Sequence, residues 1–229
     1  MSTTVYRTYP LAIPYDWLYH PSDCEAAHAE WKASCGPAAY AAVARIELAQ
    51  VRPLFPHFPQ KDWTNVTHLS AALDKQYGPS WSRYITNSAG TPLLLSGLLN
   101  LRYGVVFVQW TGPWTKPGVP AHVAYRQSHW VGMALSREHG RVIYDVNGAR
   151  GDREEDRGQW VPLDYWETVV RSCITQAIPR ADGGYYVRWA AAVPAPIASY
   201  SDSGDSHAET ISDEDARAFL TDIRALTGS

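Results

Sequence analysis

The sequence has few cysteines, three among 229 residues, and contains no Cys-x-x-Cys pair. An odd count at wide spacing argues against a disulfide framework and against a zinc site. The eight histidines form no i, i+4 pair and no His-Glu-x-x-His motif, so a catalytic metal is not predicted either. We therefore expect free thiols in a reducing compartment, with neither a metal nor an organic cofactor.

The chain also lacks an excess of positive charge and a long apolar run. Its formal net charge is −3, whereas a nucleic-acid binder needs a basic surface to neutralise phosphates. No run reaches the roughly 18 apolar residues of a spanning helix. Residues 1–20 show no charged start followed by an apolar stretch. The sequence thus predicts no nucleic-acid partner, no membrane span and no signal peptide, in a protein that is cytoplasmic or delivered into a host cell.

Apolar and aromatic residues are abundant: ten Trp, fourteen Tyr and a hydrophobic share of 45%, enough to bury a large core. Helix signals come first in the chain, because runs of helix formers follow a cap or Pro and end at Gly or Pro. The predicted helices run from about Cys35 to Gln50, from Val66 to Gln76 and from Leu93 to Leu101.

Strand signals follow in the second half, as short apolar runs bounded by turn residues. The predicted strands are Val105–Val108, His129–Leu135, Arg141–Val146 and Tyr185–Val193, with a short helix at Asp164–Arg171 before the last. Helices that are segregated from antiparallel strands indicate an α+β fold.

The composition divides the chain into three parts. Residues 1–194 are predicted to form one domain, and residues 195–211, rich in Ser, Asp, Ala and Gly, to form a linker. Residues 212–229 begin at a capping box and repeat apolar side chains at i, i+3, i+4 and i+7, which predicts an amphipathic helix. We expect this helix to bury one face, either on its own domain or on a partner.

Cys35 lies at the predicted start of the first helix, in Ser34-Cys35-Gly36-Pro37-Ala38. A thiol attacks carbonyls as thiolate, and the unpaired N–H groups of a helix N-terminus lower the pKa of a cysteine there. A buried structural cysteine in an Ala-rich helix is the alternative. Of the other thiols, Cys24 is flanked by acidic residues, which raise a thiol pKa, and Cys173 is predicted to lie in the core.

A base and an acid follow with suitable spacing. His129 begins one predicted strand and Asp145 lies near the end of the next, 16 residues on with a turn between them. In an antiparallel pair, the start of one strand faces the end of the next, so Asp145 could hold the imidazole and fix its tautomer. A hydrogen-bonded strand histidine and a turn-capping aspartate are the structural alternatives. His122 is a rival base that has no suitably spaced acid downstream.

The run Cys35-Gly36-Pro37-Ala38-Ala39 resembles the nucleophile motif of the double-glycine, bacteriocin-processing peptidases and their wider papain-like relatives. The segments around Val105–Gln109, Ser128–Gly132 and Val142–Asp145, and the helix that begins Leu163-Asp164-Tyr165-Trp166, occur in the same order as in that group. The resemblance covers about residues 28 to 170. It implies a papain-like fold in which Cys35 is the nucleophile, His129 the general base and then acid, and Asp145 the orienting residue.

The chain departs from that family at two positions. The family places Gln six residues before the cysteine to complete the oxyanion hole, and Ala29 stands there instead. The backbone N–H of Cys35 supplies one donor, and His28 and Trp31 are the first candidates for the second. The family's Asp-Pro is also absent, since Val146 follows Asp145. Asn147, two residues on and hence on the same strand face, is therefore an alternative orienting group.

The resemblance implies a cysteine peptidase that cleaves a peptide or isopeptide bond of a protein or peptide substrate through a thioester. Two alternatives stay open. The same residues could pass the acyl group to an amine or thiol, as an acyl transferase or transglutaminase-like enzyme does. Loss of the oxyanion Gln could instead leave a catalytically impaired binding or assembly module.

Overall fold

The computed structural model describes residues 35–58, 63–86, 93–120, 127–136, 140–147 and 159–194, together with positions 29, 60 and 123. All of these fall within residues 1–196, one of two units into which the chain divides. The predicted linker 195–211 and C-terminal helix 212–229 lie outside the described residues.

The first helix, α1, begins at Cys35 as predicted and ends at Ala44. The prediction ran on to Gln50, but Arg45 has a φ of 55°, in the left-handed region that helices enter at their C-terminal cap. The N–H of Ile46 closes that cap by donating to the carbonyl oxygen of Ala41, 3.2 Å away. The chain resumes helical structure in a single turn, α2, at Leu48–Val51.

The next helix, α3, runs over Val66–Tyr77, within one residue of the predicted Val66 to Gln76. Its start is a capping box: the Asn65 side chain accepts from the N–H of His68 at 2.8 Å, and the His68 side chain accepts from the N–H of Asn65. Gly78 ends the helix with a φ of 54°.

Six antiparallel strands form one open sheet. They are β1 Ser82–Thr86, β2 Tyr103–Trp110, β3 Ser128–Ser136, β4 Gly140–Asp145, β5 Gln159–Pro162 and β6 Tyr185–Ala192. In space the order is β1-β6-β2-β3-β4-β5, so β2 lies inside the sheet between β6 and β3. The four predicted strands correspond to β2, β3, β4 and β6. The sequence analysis missed the two outermost strands, β1 and β5.

Apolar layers cover both faces of the sheet, which explains why all eight residues of β2 are buried. One face packs against α1 and α3, with Tyr40, Phe107 and Trp130 in that layer. The other face packs against residues 93–101 and a helical segment at residues 163–177, and Trp166 and Val131 lie in that layer. Helices and an antiparallel sheet together make the fold α+β, as predicted.

The helical segment has three parts: α4 at Leu163–Tyr165, a π-helical turn at Trp166–Val170 and α5 at Arg171–Ala177. It was predicted as a short helix over Asp164–Arg171. The structure extends it to Ala177 and inserts the wider turn in its middle.

The predicted helix from Leu93 to Leu101 is wrong, because the structure has one 3₁₀ turn there, at Leu95–Gly97. The backbone of this stretch makes short-range turn bonds, such as that from the N–H of Leu98 to the carbonyl oxygen of Leu95, and also bonds to β6. The Leu93 carbonyl oxygen accepts from the N–H of Val187 at 2.6 Å, and the N–H of Leu95 donates to the Tyr185 hydroxyl at 3.1 Å. Tertiary contacts thus override the helix propensity of the leucines.

Candidate active site

A glycine in β3 lets α1 lie close to the sheet. A Cβ at Gly132 would be 2.9 Å from Cγ2 of Val43 and 3.1 Å from Cβ of Tyr144, closer than packed carbon atoms approach. The Tyr103 hydroxyl also donates to the carbonyl oxygen of Val43 at 2.7 Å, which ties α1 to β2. These contacts hold the second half of α1 against the middle of the sheet.

The first turn of α1 packs against the loop that precedes α3. A Cβ at Gly36 would be 2.6 Å from Cβ of Thr64, so Gly is needed for this approach. The indole N–H of Trp130 donates to the carbonyl oxygen of Thr64 at 2.9 Å. Thr64 therefore contacts the residue after Cys35 and the residue after His129, and it draws the start of α1 toward the start of β3.

His129 and Asp145 lie at one end of the sheet because β3 starts where β4 ends. Gly132 pairs with Tyr144, so Asp145 is one position further along and diagonal to His129 on the same face. The imidazole Nε2 is 2.8 Å from Oδ1 of Asp145. The exposed fraction of His129 is 7% and that of Asp145 is 0%, so the contact is shielded from water.

The Cys35 thiol completes the arrangement. It lies close enough to His129 and to the backbone N–H of Trp130 for both groups to lower its pKa. Since Nε2 faces Asp145, the imidazole has Nδ1 left for the thiol. The structure therefore brings together the three residues that the sequence analysis selected as nucleophile, base and orienting acid.

The electrostatics of the pair favour separated charge. Burial raises the pKa of Cys35, but the hydrogen bond and charge of His129 and the N–H of Trp130 outweigh it and hold the thiol pKa below its ordinary value. Burial lowers the pKa of His129, but Asp145 and Cys35 outweigh it and raise the imidazole pKa. The arrangement therefore favours a thiolate beside an imidazolium, which is the reactive form of a cysteine nucleophile.

Two further groups hold the Asp145 carboxylate. The backbone N–H of Asn147 donates to Oδ1 at 2.8 Å, and the indole N–H of Trp166 donates to Oδ2 at 2.7 Å. The sequence analysis included Trp166 in the acidic-aromatic helix of the resemblance but gave it no role. The available signal for this role was a Trp in the helix that follows the predicted Asp145 carboxylate. Sequence spacing does not reveal the direction of its indole N–H.

In the structure, Asp145 contacts the imidazole of His129, and Asn147 is exposed in the turn after β4. Asn147 contacts the carboxylate through its backbone N–H rather than taking its place beside His129. The candidate oxyanion donors His28 and Trp31 lie outside the described residues, as do Cys24 and His122. Ala29, at the position of the family's Gln, is exposed.

The prediction that Cys173 lies in the core is wrong, since this free thiol is exposed on α5. The apolar neighbours Val170 and Ile174 form the side of the segment that packs on the sheet. Among the described residues, no three His, Cys, Asp or Glu side chains cluster as metal ligands would. Within that same part of the chain, no helix is long and apolar enough to cross a membrane.

A scan against protein-family models found no family that matches the chain, and searches of curated proteins and of solved structures also found no match.

Proposed function

We propose that the protein is a cysteine peptidase of papain-like architecture, with Cys35 as nucleophile, His129 as base and acid, and Asp145 as the residue that orients the imidazole. One observation carries the proposal: His129 contacts the Asp145 carboxylate at 2.8 Å and lies close enough to the Cys35 thiol, at the start of α1, to lower the pKa of that thiol. Nucleophile, base and orienting group within hydrogen-bond reach are what acyl transfer to a thiol requires.

The reaction follows from these positions. The Cys35 thiolate attacks the scissile carbonyl carbon, and the carbonyl oxygen takes the negative charge of the tetrahedral intermediate. The imidazolium gives its proton to the leaving amine as the C–N bond breaks, which leaves a thioester on Cys35. A water molecule then attacks the thioester, His129 accepts its proton, and the acid product leaves as the thiol is restored.

The oxyanion needs donors that are in place before the reaction. The N–H of Cys35 belongs to the first turn of α1, whose first N–H groups have no partner within the helix. It supplies one donor, and His28 or Trp31 supplies the second. The papain-like assignment rests on the arrangement of a nucleophile helix packed against an antiparallel sheet whose neighbouring strands carry base and acid.

Iodoacetamide labelling followed by peptide mass analysis tests the thiolate. At about pH 6 an ordinary thiol is mostly protonated, so we expect Cys35 to react on the order of 100-fold faster than exposed Cys173 in the same chain. The substitution His129→Ala should remove this advantage and leave the rate at Cys173 unchanged. Equal rates at Cys35 and Cys173 in the folded native chain would contradict the proposal.

Acyl-donor peptide esters separate hydrolysis from transfer. We expect them to acylate the native chain but not Cys35→Ala, and to be released as free acids. Release that requires an added amine acceptor would identify a transferase that uses the same residues. A fast thiol that no acyl donor modifies would point to the impaired binding module and contradict the peptidase.

A further inference from the structure

The buried carboxylate of Asp145 has two oxygens, and each of them is held. Oδ1 faces Nε2 of His129 and also accepts the N–H of Asn147. Oδ2 accepts the indole N–H of Trp166 at 2.7 Å, and both Asp145 and Trp166 have an exposed fraction of 0%. When a donor is removed from a carboxylate oxygen that is buried away from water, the desolvation free energy of that oxygen is no longer offset by a hydrogen bond.

The Trp166 ring is fixed on two sides by other rings. It stacks against Trp110, with 6.1 Å between centroids, and meets Tyr185 edge to face at 5.4 Å. Trp110 also lies parallel to the imidazole of His129, at 6.5 Å. One aromatic layer therefore supports the base and the indole that holds its acid.

The backbone beneath this indole is also unusual. Trp166 is the first residue of the π-helical turn, a feature that is rare and recurs at functional sites. The turn is tied down by Glu167, which accepts from the Tyr185 hydroxyl and pairs with Arg171 at 3.2 Å. Arg171 in turn donates to the carbonyl oxygen of Gly183 at 2.6 Å.

We propose that Trp166 is a positioning residue: its indole N–H fixes the Asp145 carboxylate so that Oδ1 stays directed at His129, and through it sets the proton on the imidazole beside Cys35. The inference rests on the proposed function, because it assigns a role in the same site. An indole N–H suits this task because it donates and carries no charge at any working pH, whereas a cationic donor would compete with the imidazolium for the carboxylate.

The charged groups around the contact between Asp145 and His129 come from several elements. Cys35 faces it from α1, His129 from β3 and Asp145 from β4. Glu167 and Arg171, on the helical segment, contact each other and Tyr185. A change at Trp166 therefore reaches the thiol through Asp145 and His129.

The test is the pH profile of iodoacetamide alkylation at Cys35 in the full chain, for the native protein, Trp166→Phe and a matched control. The control is Trp114→Phe, which also removes a buried indole and its hydrogen bond, here to the carbonyl oxygen of Trp110 at 2.8 Å. We expect Trp166→Phe to lower the rate about 10-fold at pH 6 and to leave it unchanged at pH 10, since a hydrogen bond to a charged group is among the stronger ones. Trp114→Phe should keep the native profile.

The outcomes separate this inference from the function. A native Cys35 that reacts like an ordinary thiol overturns the proposed function and the role of Trp166 with it. If native Cys35 is alkylated fast and its pH profile is unchanged in Trp166→Phe, the role of Trp166 alone is overturned. Equal shifts in Trp166→Phe and Trp114→Phe also overturn it, because they indicate a general loss of packing. In an Asp145→Ala background, Trp166→Phe should cause no further shift.

A second measurement covers the case in which Trp166→Phe does not fold. In the ¹⁵N-tryptophan-labelled native chain, we expect one indole N–H proton to resonate well downfield of the others, because it bonds to a carboxylate. The substitution Asp145→Asn should move that one signal upfield. Indole signals that stay in place on this substitution overturn the proposal.

Discussion

Two helical elements on opposite faces of the sheet are held in different ways: α1 approaches the sheet through small residues, and the segment at residues 163–177 approaches it through large rings. The side of α1 achieves close approach through Gly36 and Gly132, and the buried residues of the helix include four alanines. The opposite side packs Trp110, Trp166 and Tyr185 against one another. Cys35 is thus placed by the close approach of backbones, whereas Asp145 is held by large rings and by an indole hydrogen bond.

The largest effect is expected at the point where the two sides meet. Asp145→Ala leaves the buried imidazole and the Trp166 indole N–H without their acceptor, and removal of one partner from a buried pair costs about 3–5 kcal/mol of unfolding free energy. Urea denaturation measures this cost. Asn147→Ala, which keeps the backbone N–H that donates to Asp145, should cost less than about 0.5 kcal/mol as other exposed substitutions do. Similar losses in the two variants would contradict the arrangement.

Filling the gap between α1 and the sheet is expected to have the next largest effect. In Gly132→Ala the new Cβ meets Val43, so we expect a loss of about 1–3 kcal/mol of unfolding free energy from overpacking. Alkylation of Cys35 should slow as α1 moves.

Val43→Ala removes the Cγ2 atom that the new Cβ would meet, and it provides the control for Gly132→Ala. We expect the double variant to be more stable than the sum of the two single effects predicts, which a double-mutant cycle in urea measures. Strict additivity would show that close packing of α1 on Gly132 does not limit the position of the nucleophile.

A smaller effect on stability is expected on the side of the sheet that packs against the segment at residues 163–177. Tyr185→Phe removes the hydroxyl that accepts from Leu95 and donates to Glu167 but keeps the ring beside Trp166. We expect about 0.5–1.5 kcal/mol of lost unfolding free energy, because the partly exposed Glu167 carboxylate can be solvated when the hydroxyl is removed, with the alkylation profile of Cys35 unchanged. A changed profile would mean that the hydroxyl, and not the ring alone, supports the site.

The smallest expected change is in the pH dependence of stability. The pKa of Cys35 is lowered from 9.0, so its contribution is present above that unfolded value and is lost as pH falls through the folded pKa. The pKa of His129 is raised from 6.5 to about 10, so its contribution is present below 6.5 and is lost as pH rises through the folded pKa. Just below pH 9.0 the two contributions therefore change in opposite directions: that of Cys35 grows with pH while that of His129 declines.

We therefore expect the unfolding free energy of the native chain, measured relative to a Cys35→Ala, His129→Ala double variant, to change less with pH in the window just below pH 9.0 than between pH 9.0 and about 10. Above that window it should fall more steeply, because the imidazolium is deprotonated and the contribution of Cys35 no longer grows. A steady slope across the window would show that one of the two groups does not carry its charge.

Local sequence patterns were sufficient to predict the positions of much of the site. The start of α1 at Cys35 follows from Pro37 in the first helical turn and the alanines after it, and the placement of His129 and Asp145 follows from two strands joined by a turn. The role of Trp166 was missed because the direction of an indole N–H depends on the π-helical turn and on the rings packed around it.

The errors in the predicted fold have the same origin. The edge strands β1 and β5 are short and lack a clear alternation, so pairing with β6 and β4 defines them. Gly97 stands inside the leucine-rich stretch that was predicted as a helix, and the start of that stretch bonds to β6 through Leu93 and Leu95. In both cases the deciding contact is distant in the sequence.

Thr64 contacts both sides of the proposed reaction centre without belonging to it. Its side chain meets Gly36 on the nucleophile helix, and its carbonyl oxygen receives the indole N–H of Trp130, the residue after the base. A substitution or insertion in the loop before α3 therefore alters the separation of thiol and imidazole while both residues stay intact. Reactivity can be tuned, by natural variation or by design, from a position that no inventory of catalytic residues would include.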